Sequence, residues 1–264
     1  MLTLGDPIGE GRTAEVYDLG DGRVLKLLRE GLPAGWLDVE AEKTASVRLA
    51  GAPAPGVHGP REVGYRIGYV FDRAPGKKML ARMRRSPQRV RQWGHLLGDI
   101  HARIFHCGCA DLPDVKEMLA WKIVRAEALS SQEKAAARDL LTRLPGGTKV
   151  LHGDFHPNNV FLDGDEATVI DWVDASCGDP AADIARTMWL LSPDVDSKDG
   201  GLRRPARVLG DAARRAYAAT ILPAAGRTMS QVRAWRLPVL AGRLSEGIEH
   251  EEKALVGEVR RLLG

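Results

Sequence analysis

The residues with the most chemical potential are gathered between positions 152 and 171, in His152-Gly153-Asp154-Phe155-His156-Pro157-Asn158-Asn159 and then Asp171-Trp172. Between these two groups lie apolar, strand-like runs at 160–162 and 168–170, separated by the turn signal Asp163-Gly164-Asp165. If the runs pair antiparallel, the ribbon leaves from Asn159 and returns to Asp171, so an amide oxygen and a carboxylate meet at one end. Such hard oxygen ligands suit Mg2+, which keeps several waters and completes its shell with phosphate oxygens. Asp154, on the preceding loop, can then face a substrate hydroxyl and accept its proton as phosphoryl transfer proceeds. The same letters hold a second chemistry. His152, Asp154 and His156 spell H-x-D-x-H, which zinc could use, and a metallohydrolase is the alternative. Against it, Pro157-Asn158-Asn159 adds no soft ligand, and His58, His95, His101, His106 and His250 show no spacing that completes a site.

A phosphoryl donor needs a cradle, and the N-terminal part of the chain offers one. Gly9-Glu10-Gly11-Arg12-Thr13-Ala14 is followed by an apolar Val16-Tyr17, a Gly20-Asp21-Gly22 turn, and the run Val24-Leu25-Lys26-Leu27. A dinucleotide-binding glycine loop opens a helix, whereas a strand and a turn follow here. Gly9, Gly11 and Thr13 therefore belong to a hairpin tip suited to covering phosphates. Lys26 is a cation in an apolar strand, either snorkelling at an edge or held for a purpose.

The elements that must position these groups divide the chain in two. Residues 1 to about 73 read as short strands around one helix, which starts near Trp36 and stops at Gly51 with Pro53 and Pro55 beyond. Residues 51–60 read as a Pro- and Gly-rich crossing, and Val63 to Phe71 as two more strands. From Pro87 to Ile104 apolar residues recur at helical spacing, and a second helical stretch runs from about Val115 to Leu144. Short strands at 149–151, 160–162 and 168–170 interrupt, and helix returns beyond Pro180 to Leu263. The expected organisation is an α+β, two-lobed chain: residues 1–73 as a small β-rich nucleotide-binding lobe and 74–264 as a larger, mainly helical lobe for catalysis and acceptor binding.

The segment His152 to Asp171 resembles the catalytic loop of the aminoglycoside phosphotransferase and choline kinase family, which shares the protein-kinase fold and carries HxDxxxxN followed by a metal-binding Asp. The resemblance implies Asp154 as catalytic base, Asn159 and Asp171 as Mg2+ ligands, and His152 as a residue that shapes the loop. Gly178-Asp179-Pro180 to Asp183-Ile184-Ala185 resembles the family's following segment, with Asp183 as a carboxylate that holds the loop. It also implies that Lys26 contacts the nucleotide phosphates and is oriented by a helix glutamate. Glu42 is preferred for that role by its distance to the helix end, with Glu40 as the alternative in another helical phase. Phe71-Asp72-Arg73-Ala74-Pro75-Gly76 resembles the inter-lobe hinge, where backbone groups of Asp72 and Ala74 would pair with an adenine edge. ATP is the expected donor, with GTP left open. A nucleotide-binding module without turnover is a further alternative, against which the intact Lys26, Asp154, Asn159 and Asp171 argue.

Composition narrows the partners. A net charge of +3 gives no reason to expect nucleic acid. No stretch approaches the ~20 apolar residues of a membrane helix, and Met1-Leu2-Thr3-Leu4 lacks a basic flank before an apolar run, so a cytoplasmic protein is expected. Cys107, Cys109 and Cys177 are too few for a disulfide framework and are expected as free thiols. No activation segment with Ala-Pro-Glu follows Asp171, which points to a small hydroxyl-bearing acceptor rather than a protein. From Leu190 onward nine acidic residues face thirteen basic ones, a poor bulk match to a polycation. Asp174, Glu246 and Glu249 are the carboxylates that could form a local acidic pocket. The basic run Lys77 to Arg85 is expected as a solvated surface turn. Oligomeric state is not encoded in any readable feature.

Overall fold

The computed structural model describes residues 4–32, 35–109, 111–192 and 204–264. Its first part is an antiparallel sheet of β1 (Gly9–Glu10), β2 (Ala14–Asp18), β3 (Arg23–Leu28), β4 (Val57–Val63) and β5 (Arg66–Asp72), in the order β1-β2-β3-β5-β4. Strand periodicity sends Leu25 and Leu27 of β3 to one face, where they form a small apolar cluster with Val70, and turns Lys26 to the other. The turn between β2 and β3 needs left-handed backbone at Gly20 (φ 79°) and Gly22 (φ 80°), which glycine supplies without a Cβ penalty.

The structure draws β4 out of the expected Pro- and Gly-rich crossing. Pro60 lies within this strand and has no N–H to donate, yet β4 is the sheet's edge, where one side of the strand needs no partner. A proline-bearing edge strand lacks the apolar alternation that betrays an inner one.

Helix α1 (Gly35–Leu49) packs on β4 and β5 and buries Leu37, Glu40, Ala41, Thr44 and Val47, a stripe at helical spacing. Val47, together with Ala52 and Ala54 beyond the helix, belongs to the core of the larger, helical part of the molecule. The end of α1 is thereby anchored to the other lobe.

In that larger part come β6 (Lys77–Lys78), α2 (Met79–Arg85), α3 (Val90–Phe105), α4 (Val115–Arg125), α5 (Ser131–Arg143), β7 (Lys149–Leu151), β8 (Val160–Asp163), β9 (Glu166–Val169), β10 (Ser176–Gly178), α6 (Pro180–Leu190), α7 (Arg204–Ala224), α8 (Met229–Arg243) and α9 (Glu249–Leu263). The single helical stretch expected over 115–144 is two helices, because Ser130 caps α5 in a reciprocal capping box with Glu133. The basic run at 77–85 is ordered: β6 pairs with β8, Met79 is fully buried, and Arg82 donates to the Leu162 carbonyl at 2.6 Å. Helices α3 and α7 approach closely at Gly94 and Gly98, where an added Cβ would meet Ala213 O at 2.4 Å and Thr220 Cβ at 2.8 Å. No described helix is long and apolar enough to cross a membrane.

The cysteines depart from expectation. Cys109 and Cys177 form a disulfide with Cα atoms 5.4 Å apart, and Cys107 alone is free and buried. The reason is tertiary: β10 pairs with β7, and Gly108 bridges to Lys149 of the same strand, so segments 68 residues apart meet.

Candidate active site

The loop between β7 and β8 is fixed from behind by α6. Asp183, fully buried, accepts from the backbone N–H of His152 at 2.6 Å and of Gly153 at 3.0 Å. It also pairs with His101 Nε2 at 3.0 Å, and His101 Nδ1 meets the Tyr217 hydroxyl at 2.7 Å. Burial alone would raise the Asp183 pKa, but His101, His152 and the donated N–H hold it below the usual carboxylate range. Gly153 (φ 79°) has no room for a side chain, since a Cβ there would lie 2.4 Å from Asp174 O. His152 is spent within the fold: Nε2 bonds Ile170 O at 3.0 Å and Nδ1 accepts from Asp154 N at 3.2 Å. Its ring packs against Trp172, with centroids 4.5 Å apart.

Asp154 projects from this loop with its side chain a quarter exposed. Around it stand His156 (Nε2 to Oδ2, 3.5 Å), Arg186 (Nη2 to Oδ1, 3.1 Å) and Arg243 (Nη1 to Oδ1, 3.7 Å). Burial pushes the Asp154 pKa up, but the His156 hydrogen bond and the Arg186 and Arg243 charges outweigh it and hold the carboxyl well below its ordinary value. Arg186 also binds Glu246 at 2.8 Å, Arg243 binds Glu246 at 3.1 Å and pairs with Glu251, and Lys122 spans Asp174 at 2.7 Å and Glu246 at 3.5 Å. Glu246 and Asp174, singled out in the sequence, are thus both paired inside the chain, while Glu249 is exposed at the start of α9. Sequence reasoning passed over Lys122, Arg186 and Arg243. For Arg186 a signal existed: a lone arginine in the otherwise small and apolar turn Ile184-Ala185-Arg186-Thr187-Met188 is a buried charge in search of partners.

The β8–β9 hairpin joins Asn159 and Asp171 at one end. Val160 pairs with Val169, and Ile170 N donates to Asn159 O at 2.9 Å. Asn159 is buried, and its amide nitrogen donates to Asp154 O at 3.1 Å, which leaves the side-chain oxygen as its remaining acceptor. Asp171 is the one non-glycine residue with left-handed backbone among the described residues (φ 70°), a conformation costing on the order of 1 kcal/mol that surrounding contacts must sustain. The buried Trp172, whose Nε1 donates to Val169 O at 2.8 Å, locks the chain just beyond it. The Asp171 carboxylate remains two-fifths exposed. One carboxylate and one amide oxygen, partly open to solvent, are a donor set that fits Mg2+ with water and phosphate completing the shell.

Lys26 crosses from the small lobe to this end of the hairpin, with Nζ 3.2 Å from Asp171 Oδ1. Its second partner is Glu40, at 2.6 and 2.8 Å. The preference for Glu42 is therefore corrected. Glu40 lies on the buried stripe of α1 between Leu37, Ala41 and Thr44, whereas Glu42, two residues on, is turned about 200° away and exposed. Burial works against the charge on Lys26, but Asp171 and Glu40 together raise its pKa, so it stays an ammonium.

Gly9, Gly11 and Thr13 lie at or beside the β1–β2 tip, closed by Gly11 N to Ala14 O at 2.8 Å, and Thr13 O accepts from Arg29 N at 2.9 Å. An added Cβ at Gly9 or Gly11 would meet the chain only at ordinary contact, 3.7 and 3.4 Å, so the fold itself does not require these glycines. Between them and Thr13, Arg12 reaches the large lobe and donates to Glu246 O at 2.8 Å. At the hinge, Asp72 spends its backbone N–H on Gly56 O at 2.9 Å, and its carboxylate accepts from Gly56 N at 2.8 Å and meets His58 at 2.7 Å. Arg73 N is likewise spent on Gly22 O at 2.9 Å. The expected pairing of Asp72 with a nucleobase is thus reduced to its carbonyl. Ala74 sits half-buried at the edge of a cleft of about 300 Å³.

The zinc alternative loses its ligands. Both ring nitrogens of His152 are committed, His156 Nδ1 accepts from Asn158 N at 3.2 Å, and no group of three or more His, Cys, Asp or Glu among the described residues could hold a metal ion.

A small antiparallel sheet with one helix, a larger helical part and an oxygen-rich hairpin between them define the kinase-like class of phosphotransferases. Residues 5–235 match the phosphotransferase enzyme family, and the chain belongs to that family, among the small-molecule kinases. Among solved structures, the chain is similar to a thermostable mutant of the aminoglycoside phosphotransferase APH(4)-Ia, with TM-score 0.66 and 17% identity, covering 98% of this chain and 94% of that one. One form of that protein is a ternary complex with ADP and hygromycin B. An aminoglycoside-3'-phosphotransferase of type VIII follows at 0.61 and 19%, covering 91% and 92%. A choline/ethanolamine kinase family protein from Mesorhizobium loti matches at 0.58 and 16%, covering 97% and 86%. At these identities the likeness is one of fold. No curated protein matches the chain in sequence.

Proposed function

We propose that this phosphotransferase moves the γ-phosphoryl group of Mg2+-bound ATP to a hydroxyl of a small molecule, with residues 1–73 seating the nucleotide and 74–264 the acceptor. The observation that carries the reading is the meeting of Lys26 and Asp171, from the two lobes, at 3.2 Å beside the loop that presents Asp154. Phosphoryl transfer asks mainly for positioning and charge compensation. Lys26, oriented by Glu40, is the ammonium for the phosphates, and the tip at Gly9, Gly11 and Thr13 covers them. Asn159 and Asp171 are the ligands for Mg2+, which supplies neutralisation of phosphate charge when bound. The Asp72 carbonyl and Ala74 are the hinge groups offered to the base. Asp154 orients the acceptor hydroxyl and takes its proton.

The ADP and hygromycin B carried by one structural neighbour make a nucleotide and a small-molecule acceptor reasonable partners for this fold. The acceptor pocket here differs in kind from one built for a polyamine. Asp174, Glu246 and Glu251 each already hold a lysine or arginine of the chain, so no uncompensated carboxylate among them awaits an ammonium group.

The test is ADP formation from Mg-ATP in the presence of aminoglycosides, macrolides, choline-like amines, amino alcohols and sugars, for the wild type and two variants. Asp154→Ala should lower turnover by about 10²-fold or more with nucleotide affinity nearly intact, and Asp171→Ala should weaken Mg-ATP binding as well. Full turnover in both variants defeats the role assignment. Mg-ATP binding without ADP release for any acceptor would instead identify a non-catalytic nucleotide-binding module.

A further inference from the structure

We propose that Arg186 is a positioning residue for the base: its guanidinium, shared through one nitrogen with Glu246, fixes the Asp154 carboxylate for the acceptor hydroxyl. This rests on the phosphotransfer reading of the same site. Helix α6 carries both Asp183 and Arg186, three residues and nearly one turn apart, so they share a face toward the loop. Asp183 holds the loop by its backbone, at His152 N and Gly153 N. Arg186 holds it by its side chain, at Asp154 Oδ1. One rigid helix therefore sets both the path of the loop and the direction of the reactive carboxylate.

The geometry of Arg186 is that of a clamp. Nη2 lies 3.1 Å from Asp154 Oδ1 and 3.0 Å from Glu246 Oε2, so one nitrogen bridges two carboxylates that would otherwise face each other as like charges. Its side chain is 7% exposed, so solvent screens these contacts little. The contact runs through this one nitrogen, on a planar group whose Nε is buried without a hydrogen-bond partner, so the guanidinium is seated by packing as well as by the two acids. Arg243 stands farther away, at 3.7 Å, and is turned to Glu251 as well. Glu246 ends a short 3-10 turn (Leu244–Glu246), and its carbonyl receives Arg12 from the glycine-rich tip of the other lobe. The acid that steadies Arg186 is thus itself steadied from the nucleotide side.

The test separates positioning from mere folding. Steady-state ADP formation from Mg-ATP is measured for the full chain, with water alone and with aminoglycosides, choline-type amino alcohols and free sugars, alongside thermal unfolding. In Arg186→Met, kcat should fall by about a hundredfold while KM for ATP stays within about twofold. Arg186→Lys should recover about tenfold of that loss, and Glu246→Gln, which keeps shape but removes charge, should lose about tenfold in kcat. A folded Arg186→Met enzyme with wild-type kcat overturns the proposal, as does a loss shared equally between kcat and ATP binding. If Arg186→Met does not fold, wild-type kcat in both Arg186→Lys and Glu246→Gln overturns it. Absence of ADP formation by the wild type with every acceptor sinks the phosphotransfer reading and this proposal with it; normal wild-type turnover with unaffected variants sinks only the proposal.

Discussion

Lys26 and Glu40 are bound through both carboxylate oxygens, at 2.6 and 2.8 Å, and the same ammonium spans to Asp171 of the other lobe at 3.2 Å. The lysine is four-fifths buried and Glu40 more so, so neither has water as an adequate substitute for the other. Glu40→Gln should therefore lower kcat/KM for ATP by about tenfold or more, whereas Glu42→Gln, on the exposed face, should stay within about twofold. Paired kinetics of the two variants check this, and equal effects would remove the helix-phase argument.

Asp183 accepts two backbone N–H groups and a histidine in a fully buried position. Asp183→Asn keeps the shape but turns one acceptor oxygen into a donor that faces an N–H. The expected cost is about 2–4 kcal/mol in urea unfolding, with turnover lost because the Asp154 loop is released. A variant as stable as the wild type shows that the carboxylate is not the anchor.

Acid should act on stability through His152. Burial lowers its pKa below the ordinary imidazole value. Below about pH 6.5 the unfolded chain then takes up a proton that the folded one refuses, so stability falls as pH drops from about 6.5 toward the depressed value and is level above about pH 6.5. The stability difference between wild type and His152→Gln, measured by chemical denaturation from pH 5 to 8, should shrink below pH 6.5. A difference independent of pH contradicts the buried, neutral imidazole.

The disulfide can be counted. In denaturant without reductant a thiol reagent should find one free cysteine, Cys107, and three after reduction. Cys109→Ala should lower stability by about 2–4 kcal/mol under oxidising conditions, because the cross-link closes a loop with a sequence separation of 68. Three reactive thiols before reduction would show the bond is absent.

Much of the site was readable because it is local. His152, Asp154, Asn159 and Asp171 lie on one loop and the hairpin that follows, and strand pairing of 160–163 with 166–169 carries Asn159 and Asp171 to one end without help from the rest of the chain. The helix from about Trp36 and its stop were read from helical spacing and from Gly51 with Pro53 and Pro55 beyond, and the structure has a helix over 35–49 followed by left-handed backbone at Gly51 (φ 95°). Less was visible where one residue type has two uses. Pro60 hid an edge strand by looking like a crossing, and Glu40 and Glu42 could be told apart only once the phase of α1 against the sheet was known.

Local order alone thus placed the groups on which the proposed chemistry rests: an oxygen-bearing hairpin, a carboxylate on the preceding loop, and a glycine-rich tip ahead of a strand lysine. The charges that surround Asp154 were decided by packing. Arg186 and Glu246 are 60 positions apart, Arg12 and Glu246 are 234, and Cys109 and Cys177 are 68. Periodicity describes how a segment turns about its own axis. It carries no information on which segments the packing of helices and lobes will bring side by side, and that packing is what put a guanidinium against Asp154.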